Sequence, residues 1–270
     1  MCFGNVKMFK RLGLDWRISL AQSYWFYFRT CENWRQVLDA IRRDERLDRF
    51  VLRSGATLTF FGDPPLQIFQ EIWRREIYTH EYPQGWRTPH IVVDIGANIG
   101  FFSLYVAMRW PDAQVFAYEP APENVALLEQ NIRLSKTSQV ILHPVAVADV
   151  VGRMNFFLKK ESGWHSLWGS SNDSTILVNT TTLPAIVKEV DQTIDLLKMD
   201  CEGAEYAVLA GQALVLAQSV RFVAMEYHEI EGHQVRELTE ILEQAGFDCE
   251  VHPQPRWQTG MLYAVNSRMK

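Results

Sequence analysis

Several features that mark other classes of protein are missing from this chain of 270 residues. Its four cysteines (Cys2, Cys31, Cys201 and Cys249) form no C-x-x-C pair and no zinc spacing, which favours reduced thiols and a cytoplasmic location. No apolar run is long enough to span a bilayer, and the first 20 residues lack the apolar core of a signal peptide. The net charge of -5 provides no excess of basic residues for nucleic acid. We therefore expect a protein with neither a membrane span nor a nucleic-acid partner.

Two common nucleotide-binding signatures are also absent from the most distinctive turn of the chain. The apolar residues 91–93 predict a buried strand, Asp94, Gly96 and Gly100 follow it, and an apolar helix is predicted after Gly100. Asn98 stands where the dinucleotide fingerprint needs its middle glycine, and no Gly-Lys-Ser/Thr follows. The remaining D-x-G-x-x-x-G is similar to the first motif of S-adenosylmethionine-dependent methyltransferases, whose cofactor carries no phosphate. A tight turn without a ligand is the alternative that the turn alone leaves open.

From residue 90 onward, predicted strands and helices alternate, which is typical of a parallel sheet with helices on its faces. The predicted strands are 91–93, 114–119, 140–142, 194–200 and 221–227, then 247–251 and 260–265 as an antiparallel pair at one edge. Residues 145–148 and 154–158 predict a hairpin excursion, followed by a polar loop over 159–174. Residues 1–88 predict an extension with a helix over 32–47, a β-hairpin over 50–61 and a helix over 66–78. We expect this extension to be a lid or packing layer, with a homodimer contact as the alternative.

Acidic residues follow two of the predicted strands. Glu119 comes about 20 residues after the glycine turn, where a carboxylate can accept hydrogen bonds from both hydroxyls of a ribose. Asp200 and Glu202 emerge on one side at the end of the fourth predicted strand, the edge at which open α/β sheets bind ligands. Two carboxylates leaving an apolar strand need a cation or a proton as a partner. Helix initiation before Pro120, and helix capping by Asp200 or Glu202, are the structural alternatives.

Histidines and tryptophans supply the other candidates. Glu226 and His228 share one face at the end of the fifth predicted strand, although a solitary histidine is often structural. His165 lies between Trp164 and Trp168 in the polar loop, which favours either a platform for a sugar face or a hydrophobic plug.

Three strings of residues together resemble the FkbM-type methyltransferases, over roughly residues 50–266. They are V-V-D-I-G-A-N-I-G at 92–100, Y-E-P at 118–120 and K-M-D-C-E-G-A-E at 198–205. The resemblance implies a Rossmann-like class I methyltransferase fold over residues 89–270, with a seven-stranded, mostly parallel α/β sheet whose last strand is antiparallel. It also implies S-adenosylmethionine as the cofactor and methyl transfer to a hydroxyl of a sugar, glycolipid or natural product. The acceptor is then a small molecule or a glycan.

The resemblance also assigns site residues. The cofactor-binding set that it implies is Asp94, Gly96, Ala97, Asn98 and Gly100 at the methionine end, Glu119 at the ribose, and Asp200. Asp149 either faces the adenine or only closes the hairpin. We expect His228 to be the general base, with Glu202 second and His165 third, and Asp200 to complete the catalytic set.

Two other functions remain open, although we predict no resident metal. In the first, a divalent ion held by Asp200, Glu202, Glu226 and His228 assists the transfer. In the second, the protein binds S-adenosylmethionine without catalysis.

Overall fold

The computed structural model of the chain describes residues 16–43, 45–62, 65–158, 174–230, 232–254 and 258–269. His165 and the two tryptophans of its predicted loop lie outside these residues. Every helix in the part of the chain that the structure describes is too short or too polar to cross a membrane.

The N-terminal part forms a layer of helices and one hairpin. Its elements are α1 (Trp16–Thr30), α2 (Trp34–Arg43), β1 (Arg49–Val51), β2 (Thr57–Thr59) and α3 (Leu66–Trp73). The antiparallel β1–β2 hairpin is the one that the sequence predicts. Helix α1 was not predicted, because its apolar residues follow no helical period. Helix α3 ends at Trp73 rather than at residue 78, so the segment after it is free to reach the sheet.

Aromatic side chains join this layer to the first helix of the sheet domain. Phe50 stacks on Phe69 with ring centroids 4.3 Å apart, and both rings meet the edge of Phe101 at 6.2 and 6.4 Å. Trp73 packs edge-on against Tyr105 at 5.5 Å. The two parts of the chain therefore share one hydrophobic cluster.

The sheet domain begins at residue 91. In chain order its elements are β3 (Ile91–Ile95), α4 (Phe101–Arg109), β4 (Gln114–Tyr118), α5 (Pro122–Ser135), β5 (Val140–His143), β6 (Ala146–Val147), β7 (Gly152–Leu158), β8 (Ser174–Thr181), α6 (Leu183–Val190), β9 (Leu196–Met199), α7 (Glu205–Leu209), α8 (Ala213–Ser219), β10 (Phe222–His228), α9 (Val235–Gln244), β11 (Phe247–Gln254) and β12 (Thr259–Asn266).

The main sheet has seven strands in the order β11-β12-β10-β9-β3-β4-β5. Five adjacent strands run parallel to one another: β10, β9, β3, β4 and β5. Strand β12 is antiparallel to both β10 and β11. The prediction of a mostly parallel sheet with its last strand antiparallel is therefore confirmed. The order reverses between β3 and β9, and ligands of open α/β sheets bind at such a switch point.

Strand β3 shows why the sheet is covered on both sides. All five of its residues are buried, as expected of a central parallel strand. Val92 packs into the cluster that contains the N-terminal layer and α4, whereas Ile91 and Val93 pack into the cluster that contains helices α6 to α9. This alternation is the two-residue period of a strand, and it fixes which side chains leave the carboxyl edge on each face.

The predicted hairpin between residues 145 and 158 is wrong in its pairing. Strands β6 and β7 both pair with β8, β6 in parallel and β7 antiparallel, in a separate three-stranded sheet. Sequence reasoning missed β8 because most of its side chains are polar or exposed, with Leu177 60% exposed. Strand β8 is held mainly by its backbone ladder, which leaves little apolar periodicity to detect.

Candidate functional site

The glycine turn after β3 lies directly against the end of β9. Gly96 has φ +76°, and a Cβ atom on it would be 1.8 Å from the carbonyl oxygen of Asp200. Gly100 has φ +90°, and a Cβ atom there would be 2.1 Å from Cδ1 of Leu128. A side chain at either position would meet both a disfavoured backbone conformation and a steric clash. The close approach to backbone therefore requires glycine at Gly96, and the left-handed φ of Gly100 favours glycine there as well.

A buried ion pair supports the turn from below. The Asp94 carboxylate is fully buried, accepts a hydrogen bond from Ser103 Oγ at 2.6 Å, and lies 3.0 Å from Lys198 Nζ. The Lys198 ammonium also donates to the carbonyl oxygen of Gly96 at 2.7 Å. Burial would lower the pKa of Lys198, but the Asp94 and Asp200 carboxylates outweigh burial and raise it above its ordinary value. Asp94 thus acts on the turn from beneath and does not border the pocket described below.

Lys198 was missed as a site residue, although the sequence carries a signal for it. It is a single lysine within the apolar strand β9, and its side chain is only 4% exposed. A lysine is almost never buried without a paired carboxylate. Asp94 supplies that partner from the neighbouring strand β3.

Glu119 joins the glycine turn to helix α5. One carboxylate oxygen accepts a hydrogen bond from the backbone N–H of Asn98 at 2.8 Å. The other accepts hydrogen bonds from the backbone N–H of Ala121 at 2.9 Å and from the side-chain amide of Asn124 at 3.3 Å. The side chain is 4% exposed, and burial raises the pKa of Glu119 while these N–H groups oppose the rise. Helix initiation and a place in the pocket wall, which the sequence presented as alternatives, occur together at this residue.

A pocket lies between the glycine turn, the start of α5 and the end of β9. It encloses about 580 Å³ of space when its open mouth is included. Its lining residues are Ile95, Gly96, Asn98, Tyr118, Glu119, Pro120, Asn124, Ala146, Val147, Phe156, Asp200, Cys201, Glu202 and Ala204. One side is apolar and aromatic, and the other carries carboxylates, so the pocket suits a flat ring joined to a cationic group.

Not all of the predicted cofactor residues border this pocket. Gly96, Asn98, Glu119 and Asp200 line it, whereas Ala97 and Gly100 shape the turn behind it. Asp149 is exposed after β6 and is not part of the lining.

A tyrosine from the N-terminal layer reaches the carboxyl edge of the sheet. The Tyr78 hydroxyl donates to Asp200 Oδ2 at 2.9 Å, although 122 positions separate the two residues in sequence. Burial, with the Asp200 carboxylate beside it, raises the pKa of Tyr78 well above its ordinary value. The segment is tied down further by Tyr263 in β12, whose hydroxyl donates to the carbonyl oxygen of Ile77 at 2.6 Å. Tyr78 therefore remains a hydrogen-bond donor to Asp200, and no sequence pattern indicated this contact.

His228 lies between two glutamates at the end of β10. Its Nδ1 atom is 3.4 Å from Glu205 Oε1, and its Nε2 atom is 3.5 Å from Glu202 Oε2. Burial would lower the pKa of the imidazole, but three carboxylates, Glu205, Asp200 and Glu202, outweigh burial and raise it to about 10. The ring is therefore charged at neutral pH in the protein without ligands.

A further acidic group lies beside this histidine. Burial, assisted by the Asp200 carboxylate, raises the pKa of Glu226 to about 8, although His228 opposes the rise. One ligand atom from each of Asp200, Glu202 and His228 falls within 4.8 Å of the others, a spacing that could also hold a metal ion. The structure thus brings together the predicted catalytic residues Asp200, Glu202 and His228, with Glu226 beside them. The arrangement attracts a cation and can exchange a proton.

Comparisons with known proteins agree with this geometry. A family model described as "Methyltransferase FkbM domain" matches residues 94–249, which is more than half of the chain. The "31-O-demethyl-FK506 methyltransferase FkbM" of Streptomyces tacrolimicus is 26% identical, over 80% of this chain and 95% of that protein. The "2-O-methyltransferase NoeI" of Sinorhizobium fredii is 30% identical, over 53% of this chain and 65% of that protein.

A solved structure shares the fold. The crystal structure of methyltransferase FkbM from Methylobacillus flagellatus superimposes with a TM-score of 0.51 at 20% identity. The match covers 70% of this chain and 46% of that one, so this chain spans less than half the length of the solved protein.

Proposed function

Because the chain belongs to the FkbM methyltransferase family, we propose that it transfers a methyl group from S-adenosylmethionine to a hydroxyl oxygen of a sugar, glycolipid or natural product. The names of two relatives specify methylation at oxygen, which supports a hydroxyl acceptor. The observation that carries the proposal is the pocket itself. It begins at Glu119 and the glycine turn and ends at the carboxylates after β9, beside His228.

The pocket residues fit the proposed cofactor in three ways. Tyr118, Val147 and Phe156 offer an apolar wall for an adenine, and Glu119 offers a carboxylate for the ribose. Asp200 and Glu202 lie at the other end, where negative charge favours a sulfonium cation. When bound, S-adenosylmethionine supplies an electrophilic methyl group. The residues of the protein then orient the acceptor, exclude water and accept the proton of the acceptor hydroxyl.

His228 is the residue that we propose to accept this proton, with Glu202 as the second candidate. The imidazole is charged in the free protein, so it has to lose a proton before it can act as a base. A cation bound beside Asp200 and Glu202 would offset their charge and lower the pKa of His228. Cofactor binding would in this way prepare the base.

The N-terminal layer, taken as residues 1–88, is proposed to shape access of the acceptor. Tyr78 from this layer holds Asp200 at the pocket. Burial raises the pKa of Glu71 in α3, and the charge of Asp200 adds to the rise, which places Glu71 near the same edge. The layer therefore contributes polar groups to the acceptor side as well as apolar packing.

Calorimetry with S-adenosylmethionine and with NAD tests the cofactor directly. We expect binding of S-adenosylmethionine and of its demethylated product, and no binding of NAD. Equal or tighter binding of NAD would contradict the proposal. Transfer of a labelled methyl group to a component of a cell extract, followed by identification of that component, would then define the acceptor.

Replacing Glu119 with alanine should weaken binding of S-adenosylmethionine by about 1.5–3 kcal/mol, the range for a hydrogen bond to a charged group. The matched control is Glu123→Ala, because Glu123 is an exposed carboxylate in the first turn of α5, the helix that follows Glu119. Calorimetry on both variants, with thermal unfolding to verify folding, provides the comparison. A folded Glu119→Ala variant with unchanged affinity would remove Glu119 from the cofactor site.

Chelation separates the proposed function from a metal-assisted one, which the spacing of Asp200, Glu202 and His228 would allow. With His228 as the base, we expect EDTA to leave the initial rate unchanged. Loss of activity with EDTA and its return with Mg²⁺ or Mn²⁺ would instead assign these three side chains to a divalent ion.

A further inference from the structure

Glu205 is a fully buried carboxylate directly behind the proposed base. Its Oε1 atom accepts the backbone N–H of Cys201 at 3.0 Å, and its Oε2 atom accepts that of Gly203 at 2.9 Å. The third contact joins Oε1 to Nδ1 of His228 at 3.4 Å. One carboxylate thus binds the turn after β9 and the histidine at the end of β10.

The turn that Glu205 holds is strained. Glu202 adopts φ +54° and Gly203 adopts φ +99°, and the left-handed region is unfavourable for a non-glycine residue such as Glu202. A conformation of this kind persists only where its surroundings hold it. The two N–H groups bound by Glu205 flank Glu202, so Glu205 determines where the Glu202 carboxylate lies.

Contact with Glu205 also determines which nitrogen keeps its hydrogen when His228 is neutral. An ionised carboxylate can only accept hydrogen bonds, and Glu205 is the fully buried one of the two glutamates at the ring, so the Nδ1 atom that faces it is the donor. The other nitrogen, Nε2, then faces Glu202. A histidine oriented in this way by a buried acid is a recurrent arrangement for a general base.

We infer that Glu205 is a positioning residue, which holds the Nδ1–H group of His228 and leaves Nε2 as the nitrogen that exchanges a proton. The inference rests on the proposed function, because it gives His228 the task of accepting the proton of the hydroxyl. Glu205 does not border the pocket and acts through His228 and the turn.

Four acidic groups face His228. They are Asp200 at the end of β9, Glu202 in the turn, Glu205 at the start of α7, and Glu226 in β10. Glu205 is the fully buried one among them, and the hydrogen bond from His228 goes to it. Removing its charge should therefore lower the pKa of His228 even though the other three carboxylates remain.

The test is the variant Glu205→Gln, studied by NMR of ¹⁵N-labelled histidine and by kinetics. We expect the pKa of His228 to fall by about one unit or more, and the proportion of the Nδ1–H tautomer to decrease. We expect the kcat reached on the high-pH plateau to fall by about tenfold or more, as part of the roughly 10²–10⁴-fold that general-base catalysis contributes, with cofactor affinity nearly unchanged. The acid limb of the pH–rate profile should move to lower pH together with the pKa measured by NMR.

The matched control is Glu250→Gln, because Glu250 also contacts a histidine, His252, at 2.6 Å but lies exposed on β11. This control should leave the His228 signals and kcat as in the wild type. If Glu205→Gln does not fold, Glu205→Asp retracts the carboxylate by one methylene, and a smaller fall of both the pKa and kcat is expected.

A folded Glu205 variant with lower thermal stability but unchanged pKa, tautomer and pH–rate profile would overturn the inference, since Glu205 would then only hold the turn. The NMR measurements need no acceptor. A wild-type protein that transfers no methyl group would therefore overturn the proposed function while the pKa and tautomer of His228 are still measured.

Discussion

Replacing His228 with alanine will lower kcat by about 100-fold or more and leave the affinity for S-adenosylmethionine nearly unchanged. The imidazole lies at the carboxyl edge of the sheet beside Glu202, and it is not among the residues that line the pocket. Steady-state kinetics and calorimetry on the same preparation separate the two effects. His228→Gln should restore little activity, because an amide can hold a hydroxyl but cannot accept its proton.

The pKa of His228 sets the direction in which the catalytic rate changes with pH. A base acts only when it is deprotonated, and the pKa of His228 in the free protein is raised to about 10. The wild-type kcat/KM, which reports the free enzyme, should therefore rise with pH across the neutral range and level off only as the pH approaches that value. The alanine variant should lack this rise. If it keeps near wild-type turnover, His228 is structural and Glu202 becomes the candidate base.

Replacing Gly96 with alanine will abolish cofactor binding and destabilise the fold by about 3 kcal/mol or more. The new Cβ would lie 1.8 Å from the carbonyl oxygen of Asp200, a backbone atom that cannot rotate away. The positive φ of +76° adds the cost of a left-handed conformation. The turn would have to move off the end of β9, and Lys198 would lose its bond to the Gly96 carbonyl.

Gly152→Ala is the control for this prediction. Gly152 begins β7, and no atom lies within 4 Å of the position that its Cβ would take. Urea unfolding and calorimetry on both variants provide the measurement, and the control should stay within about 0.5 kcal/mol of the wild type. Wild-type stability and affinity in Gly96→Ala would show that the turn can relax, and that its close approach to β9 is not required.

Local patterns were sufficient to predict the centre of the fold. The β-branched run of β3, the glycines after it and the alternation of strands and helices each depend on neighbours in sequence, and all are present. The same holds for the placement of Glu119 and Asp200 at the carboxyl ends of β4 and β9, because a strand period fixes where a side chain leaves the sheet. Strand β8 was missed because side-chain pattern does not reveal a strand held mainly by its backbone ladder.

Tertiary structure decided the chemistry of the site. The bond from Tyr78 to Asp200 spans 122 positions, and the contacts of His228 with Glu205 and of Lys198 with Asp94 cross between segments that are distant in sequence. Residue types alone left the direction of the pKa shift of His228 open, since burial and neighbouring carboxylates act on it in opposite directions. Electrostatic interaction depends on distance and burial, which only the packed chain determines. The sequence by itself therefore determined that Glu119, Asp200, Glu202 and His228 reach the site, and the tertiary structure added Tyr78, Lys198 and Glu205 and decided what each group holds.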